Sequence, residues 1–142
     1  MRKNFKLGAI NHVGVAVPSI EDAIGRYREV FEIDGITPIM ELPAQGVKVS
    51  FVNLPTGQIE LIEPLGEGSP IVKFLERNPL GGQHHICFEV DDIEDARKHM
   101  IAKGVRVLGE PRIGAHGTLI IFLHPKDMGG TLIELMERPD GH

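Results

Sequence analysis

The chain has 142 residues, a formal net charge of −5 at pH 7 and a single cysteine. This length is typical of one domain with a sizeable core, and the acidic balance, without a dense run of lysine and arginine, argues against a protein that binds nucleic acid or a membrane surface. Cys87 cannot form an intramolecular disulfide, and no apolar stretch approaches the roughly 20 residues that span a bilayer. We expect a cytoplasmic protein, or one of the mitochondrial matrix if it is a processed eukaryotic form.

The first half of the chain predicts a βαβββ module over residues 8–64 with a histidine in its first strand. Residues 10–17 alternate, with bulky aliphatic side chains on one face and His12 and two small residues on the other. Ser19 is a predicted N-cap for an amphipathic helix that ends near Phe31. Three further strands are predicted near Ile36–Leu42, Val47–Leu54 and Gln58–Glu63.

The second half predicts the same order of elements over residues 83–138. A linker at residues 65–82 contains a short helical pattern after Ser69-Pro70. The strand His84–Val90 places His85 opposite its aliphatic face, and a helix capped by Asp91-Asp92 runs to about Lys103. Strands are predicted near Val105–Leu108, Thr118–Leu123 and Thr131–Glu137.

The two halves repeat the same polar residues at equivalent positions. His12 and His85 lie 73 positions apart (85 − 12), as do two copies of the sequence Ile-Glu-Asp-Ala. Glu60 returns as Glu134 with an offset of 74 (134 − 60), again between aliphatic residues. Glutamates also recur at 63 and 137, but they face the other way, and we interpret them as strand-end charges.

These four recurrent residues predict a metal site. A single histidine in an apolar strand is usually a hydrogen-bonded core residue, but recurrence favours ligands, because a buried carboxylate needs a partner to offset its desolvation. His12, Glu60, His85 and Glu134 would converge if the two modules form curled mixed sheets around a common cavity. Two imidazoles and two carboxylates suit a divalent ion of octahedral habit, such as Co²⁺, Mn²⁺, Ni²⁺, Zn²⁺ or Fe²⁺.

Two loops of the second half are candidates for ligand binding. Residues 112–117 are glycine-rich, and the 124–130 loop is longer than its counterpart in the first half. Arg112 and Lys126 offer positive charges for phosphate groups, and the backbone at Gly114 and Gly117 can approach a ligand closely. Solvated surface charges are an equally good interpretation of the two basic residues.

The chain resembles the methylmalonyl-CoA epimerases of the vicinal-oxygen-chelate superfamily along nearly its whole length. The last two of the segments that carry the resemblance are not shared by the superfamily at large. The segments are Asn11–Pro18, Glu60–Leu65, Ser69–Leu75, Gly82–Ile86, Gly114–Gly117 and Phe122–Lys126.

The resemblance implies an α+β vicinal-oxygen-chelate fold and a metal-dependent isomerase that interconverts (R)- and (S)-methylmalonyl-CoA in propionyl-CoA metabolism. An acyl-CoA would be its partner, with proton abstraction at C2 through a metal-stabilised enolate. Glu134 carries over as both ligand and base. Some members have a second catalytic glutamate three residues after the glycine of a Gln-Gly-Val turn and a glutamine where Glu60 stands. This chain has Val49 at the former position, so the partner of Glu134 is Glu60, a metal-bound water or another residue, and we slightly favour Glu60.

Three other functions use the same scaffold. A glyoxalase I-type lyase or isomerase would use the same four ligands on a glutathione hemithioacetal. An extradiol-type dioxygenase needs only two histidines and one glutamate, so a fourth protein ligand, Glu60, counts against it. A protein that sequesters small molecules would need no metal. Edge strands left over after pairing favour a homodimer in each case.

Overall fold

The computed structural model describes residues 4–139 of the chain, which form two compact units. The continuous unit consists of residues 12–84, and the two-segment unit consists of residues 4–11 and 85–139. The strand β1 (Leu7–Ala16) passes from one unit into the other. None of the helices within residues 4–139 has the length and apolar character needed to span a bilayer.

In the continuous unit the sheet order is β2-β3-β4-β1, with β1 parallel to β4 and the other pairs antiparallel. Its helix α1 begins after the predicted N-cap Ser19, whose hydroxyl accepts a hydrogen bond from the Asp22 N–H. The unit's core lies between this helix and the sheet and includes Ile20, Val52 and Leu61. The elements are α1 (Ile20–Phe31), β2 (Met40–Leu42), β3 (Val47–Leu54), β4 (Gly57–Pro64) and α2 (Pro70–Arg77).

The two-segment unit repeats this arrangement with the order β5-β8-β7-β6, and β5 is parallel to β8. Asp92 caps α3, and Gly104, with a φ of +82°, follows the end of that helix. The predicted α+β class and the βαβββ order are therefore confirmed in both halves. The elements are β5 (Gly82–Val90), α3 (Ile93–Ala102), β6 (Val107–Ile113), β7 (Leu119–Leu123) and β8 (Ile133–Glu137).

The module boundaries at residues 8–64 and 83–138 remain a prediction, because compactness divides the chain at other positions. The helical pattern predicted inside the 65–82 linker corresponds to α2, and this helix belongs to the continuous unit.

Two strands depart most from their predicted bounds, in each case next to a proline. The strand predicted from Ile36 is regular only over β2, and Ile36 itself forms an isolated bridge with Val52. Pro38 lies between them and has no N–H to donate. In the second half β6 continues to Ile113, through residues that the sequence predicts as loop, because a β-bulge before Arg112 accommodates Pro111.

The recurrent glutamates Glu63 and Glu137 have a role that our interpretation as strand-end charges missed. The Glu63 Oε1 atom accepts a hydrogen bond of 2.8 Å from the Ile20 N–H, at the start of α1. The Glu137 Oε2 atom accepts one of 2.9 Å from the Ile93 N–H, at the start of α3. Each carboxylate therefore binds a helix N-terminus, where unpaired N–H groups and the helix dipole favour negative charge.

The 124–130 loop is fixed by one ion pair. The backbone N–H, Nε and Nη2 of Arg106 donate to the Asp127 carboxylate over 3.0, 2.9 and 3.0 Å. The Arg106 guanidinium holds the pKa of Asp127 well below its usual range. Lys126 lies in the short 3₁₀ helix Pro125–Asp127 that this pair holds.

Replacement of Asp127 by Asn should destabilise the protein more at neutral pH than at low pH. The pKa of Asp127 is lower in the folded protein than in the unfolded chain, so its contribution is present above the unfolded value of about 3.9 and is lost as pH falls below that value. Urea unfolding of wild type and Asp127→Asn between pH 7 and 2 would measure the difference. Arg106→Gln should reduce the same pH dependence, because only the backbone N–H of residue 106 would still donate to Asp127. A difference that stays constant with pH would contradict this account.

Replacement of Glu137 by Ala should lower the free energy of unfolding by about 1 kcal/mol, because the Ile93 N–H loses its acceptor. Glu137→Gln retains an acceptor oxygen and should lose less. Chemical denaturation of both variants would test this, and equal losses would show that hydrogen bonding to the helix terminus is not the cause.

Candidate metal centre

The continuous unit holds one buried histidine–glutamate pair. Glu60 lies beside Gly14 in the parallel register of β4 with β1, and His12 is two residues before Gly14 on the same face of β1. The His12 Nε2 atom is 3.4 Å from the Glu60 Oε1 atom. Phe51 lies opposite Glu60 on β3, and its ring meets the His12 ring edge-on at 6.2 Å between centroids. The sheet and this phenylalanine together fix the orientation of the pair.

The two-segment unit holds the second pair, built in the same way. Glu134 lies beside Cys87 in the parallel register of β8 with β5, and His85 is two residues before Cys87. The His85 Nε2 atom is 3.0 Å from the Glu134 Oε1 atom. Phe122 lies opposite Glu134 on β7, and its ring meets the His85 ring edge-on at 5.8 Å and 86°. The repeat of the sequence is therefore also a repeat of local geometry.

The burial of both pairs decides what they can do. The exposed fractions are 2% and 7% for His12 and Glu60, and 5% and 6% for His85 and Glu134. A carboxylate withdrawn from water to this extent needs a cation or strong donors close to its oxygens. Imidazole nitrogen and carboxylate oxygen are also ligands of divalent transition metals. All four residues could bind a metal ion, and this donor chemistry fits the ions predicted from the sequence.

The predicted anion-binding residues lie at different distances from this chemistry. Arg112 is in β6, and its Cζ atom lies 5.2 Å from the centroid of the Phe122 ring, which itself contacts His85. Lys126 is in the 3₁₀ helix after His124, and its ammonium group forms no ion pair with the part of the chain that the structure describes. Of these two residues, Arg112 is therefore the one connected to a histidine–glutamate pair, through the side chain of Phe122.

Gly114 and Gly117 form a tight turn after β6. The Gly117 N–H donates to the Gly114 carbonyl over 3.0 Å, and Gly117 has a φ of +82° that favours glycine. A Cβ atom on Gly114 would lie 2.8 Å from Cγ2 of Ile120. Packing alone therefore requires glycine at position 114, and a role in ligand binding stays a prediction for both residues.

Two further residues clarify the sequence predictions. His84, the neighbour of the ligand candidate His85, packs against Phe74 with 5.2 Å between ring centroids. Val49, at the position where some relatives of the family carry a second glutamate, is a buried residue on the same face of β3 as Phe51. That face presents a valine where a carboxylate would otherwise stand.

Sequence reasoning missed the two phenylalanines that contact the histidines. Phe51 and Phe122 lie 71 positions apart (122 − 51), close to the repeat offset, and each stands opposite a recurrent glutamate. Their recurrence was the available signal, but aromatic residues in strands are ordinary core residues, so the pattern did not stand out.

Known proteins resemble this chain in sequence and structure. Residues 11–122 match the model of the Glyoxalase/Bleomycin resistance protein/Dioxygenase superfamily. An ethylmalonyl-CoA/methylmalonyl-CoA epimerase of Cereibacter sphaeroides is 53% identical, over 91% of this chain and 97% of the relative. The mitochondrial methylmalonyl-CoA epimerase of Mus musculus is 50% identical, over 92% of this chain and 74% of the relative.

Solved structures of similar proteins share the fold. A methylmalonyl-CoA epimerase from Mycobacterium tuberculosis has a TM-score of 0.87 and 32% identity, with 99% of this chain and 95% of that chain covered. A methylmalonyl-CoA epimerase in complex with methylmalonyl-CoA and NH₄⁺ has a TM-score of 0.85 and 33% identity, with 94% and 96% covered.

A divalent ion should stabilise this protein through both histidine–glutamate pairs. With Co²⁺ at about 100 times its dissociation constant, the free energy of unfolding should rise by about 2.7 kcal/mol. His85→Ala and Glu134→Gln should each lose most of this gain, because each removes a ligand. Urea unfolding with and without Co²⁺ would measure it, with His84→Ala as a matched control that retains the gain. An equal gain in all four proteins would exclude these ligands.

Proposed function

The chain belongs to the Glyoxalase/Bleomycin resistance protein/Dioxygenase superfamily, and within it we propose that the protein interconverts (R)- and (S)-methylmalonyl-CoA. The observation that carries this proposal is a pair of near-complete alignments, at 53% and 50% identity, with relatives named as epimerases of this substrate. The two buried histidine–glutamate pairs supply the chemistry that such a reaction needs.

The two pairs are proposed to bind one divalent ion together, with Co²⁺ favoured and Mn²⁺, Ni²⁺, Zn²⁺ or Fe²⁺ as alternatives. The donor set of two imidazoles and two carboxylates supports this choice of ions. When bound, the ion would supply Lewis-acid stabilisation of the negative charge that develops on the substrate. His12 and His85 would act as ligands only, since their rings are held by Phe51 and Phe122.

Glu134 is proposed as the base that removes the proton from C2 of the substrate. A carboxylate has two oxygen atoms, so it can serve as a ligand with one and accept a proton with the other. The electron pair of the broken C–H bond moves into the thioester carbonyl to give an enolate. Delivery of a proton to C2 from the opposite side inverts the configuration, and no oxidant or reductant is consumed.

Glu60 is proposed as the group that delivers this proton. The equivalence of Glu60 and Glu134 in the repeat supports two carboxylates with matched roles, one protonated and one ionised, that exchange with the direction of reaction. Val49 cannot take this role because its side chain has no titratable group. The acid at position 60 therefore replaces the second glutamate that some members of the family carry elsewhere.

The remainder of the acyl-CoA would contact the second half of the chain. We assign Arg112 and Lys126 to its negative charges and the backbone at Gly114 and Gly117 to the pantetheine. Assembly as a homodimer, a role in propionyl-CoA metabolism, and a cytoplasmic or mitochondrial-matrix location belong to the same proposal. The mitochondrial relatives, among them the mouse epimerase, are consistent with the last point.

Ethylmalonyl-CoA is a second candidate substrate. The relative from Cereibacter sphaeroides, at 53% identity, is named for both ethylmalonyl-CoA and methylmalonyl-CoA. The two substrates differ by one methylene at the reacting carbon, which an apolar surface distinguishes only weakly.

Proton exchange at C2 of methylmalonyl-CoA in D₂O tests the reaction directly. Wild-type protein loaded with Co²⁺ should incorporate deuterium, whereas metal-free protein should not. Glu134→Gln should slow the exchange by about 10²- to 10⁴-fold at saturating metal, because it cannot accept the proton. NMR would follow the C2 proton, with the exposed Glu76→Gln as control. Stoichiometric metal without exchange would reject the epimerase and favour the glyoxalase I-type reaction.

A further inference from the structure

One aromatic ring in the two-segment unit touches both a candidate metal ligand and a candidate anion-binding residue. This is the ring of Phe122, which meets the His85 ring in a T-shaped contact with 5.8 Å between the two centroids. The guanidinium of Arg112 lies over the same phenylalanine, with Cζ at 5.2 Å from the ring centroid. The Phe122 ring thus makes a T-shaped aromatic contact with His85 and a cation–π contact with Arg112.

A β-bulge puts an arginine, rather than a glutamate, above this ring. Leu108 pairs with Phe122, and the next aligned pair along β6 is Arg112 with Ile120. Three residues of β6, 109–111, lie between these pairs, whereas only Ile121 lies between them on β7, so the bulge contains two extra residues. In a regular antiparallel ladder Glu110 would stand opposite Ile120. Bulges beside active sites commonly re-aim a side chain in this way.

The same segment keeps the charge of Arg112 uncompensated. The Glu110 carboxylate forms an ion pair with Arg97, with 3.6 Å between the Glu110 Oε2 atom and the Arg97 Nη2 atom. The Arg112 Nη1 atom donates only to the Glu110 backbone carbonyl, over 3.5 Å. Arg112 is exposed, and within residues 4–139 no carboxylate forms an ion pair with it. Its guanidinium can therefore bind an anion from solution.

We infer that Phe122 is a positioning residue that supports His85 through the T-shaped contact and Arg112 through the cation–π contact, and that Arg112, held on this ring, recognises an anionic group of the acyl-CoA. The inference rests on the proposed acyl-CoA substrate. It adds a residue that fixes the distance between the metal ligand and the recognised charge. The anion is a phosphate of CoA or the carboxylate of the malonyl group, both of which a guanidinium binds in two-pronged fashion.

Steady-state kinetics with methylmalonyl-CoA and with methylmalonyl-pantetheine test the role of Arg112. Arg112→Gln should raise KM by about tenfold or more, the effect of losing a hydrogen-bonded charge. A rise with methylmalonyl-CoA alone identifies a phosphate, because methylmalonyl-pantetheine lacks the nucleotide phosphates. A rise with both substrates identifies the malonyl carboxylate. Arg26→Gln, which removes an exposed arginine from α1, is the control and should leave KM unchanged.

The role of Phe122 is tested by a double-mutant cycle and by metal binding. Phe122→Leu should raise KM and also weaken the affinity for Co²⁺ by about 2- to 10-fold, as expected for the loss of an aromatic contact with His85. Phe122→Tyr keeps the ring and should restore both properties. Arg112→Gln should leave the Co²⁺ affinity unchanged, and Phe122→Leu with Arg112→Gln should raise KM by less than the product of the single effects.

Two results would overturn the inference. One is a KM unchanged by Arg112→Gln with both substrates, and the other is a Co²⁺ affinity unchanged by Phe122→Leu. Calorimetric titration with methylmalonyl-CoA and the visible absorption of bound Co²⁺ need no turnover, so they separate this inference from the proposed reaction. If the wild-type protein binds methylmalonyl-CoA more tightly than Arg112→Gln does but catalyses no proton exchange, the proposed epimerase reaction is rejected and the role of Arg112 is retained.

Discussion

The close approach of a buried carboxylate to a buried imidazole, made once in each unit, is the constraint on which the surrounding structure depends. An ionised glutamate in this environment is costly unless a positive or strongly donating group lies against it. The parallel pairing of the first and last strands of each module brings the two side chains onto one face. The third strand then supplies a phenylalanine that contacts the histidine. Each pair is thus specified by three strands together.

The repeat also governs how the helices are attached to the sheets. In each unit a glutamate three residues after the site glutamate accepts a hydrogen bond from the first N–H of the helix. A single strand therefore presents one carboxylate to the site and a second one, on its other face, to the helix N-terminus. The same strand therefore contributes a residue to the site and holds the helix that packs on the sheet. This explains why the whole segment Ile59–Glu63 recurs as Ile133–Glu137, rather than one glutamate alone.

Much of this organisation could be predicted from the sequence, because the internal repeat gives the same residue types and the same order of elements in both halves. The strand face of His12 and His85, the cap at Ser19 and the order of elements all follow from local patterns. The role of Glu63 and the bulge before Arg112 could not be predicted, since both depend on contacts between residues distant in sequence. Phe122 was missed because an apolar residue in a strand carries no chemical signal of its own.

The passage of the first strand through both units has a consequence for how the protein folds during synthesis. Residues 4–11 leave the ribosome before the continuous unit but belong to a unit whose remaining residues, 85–139, leave after it. That unit can form only after a 73-residue segment, residues 12–84, has been made. The entropic cost of closing this loop is lower if the intervening unit is already compact. Residues 4–11 must therefore wait for their partners until residues 85–139 have been made, and the polar Asn4, Lys6 and Asn11 suit exposure to water during that interval.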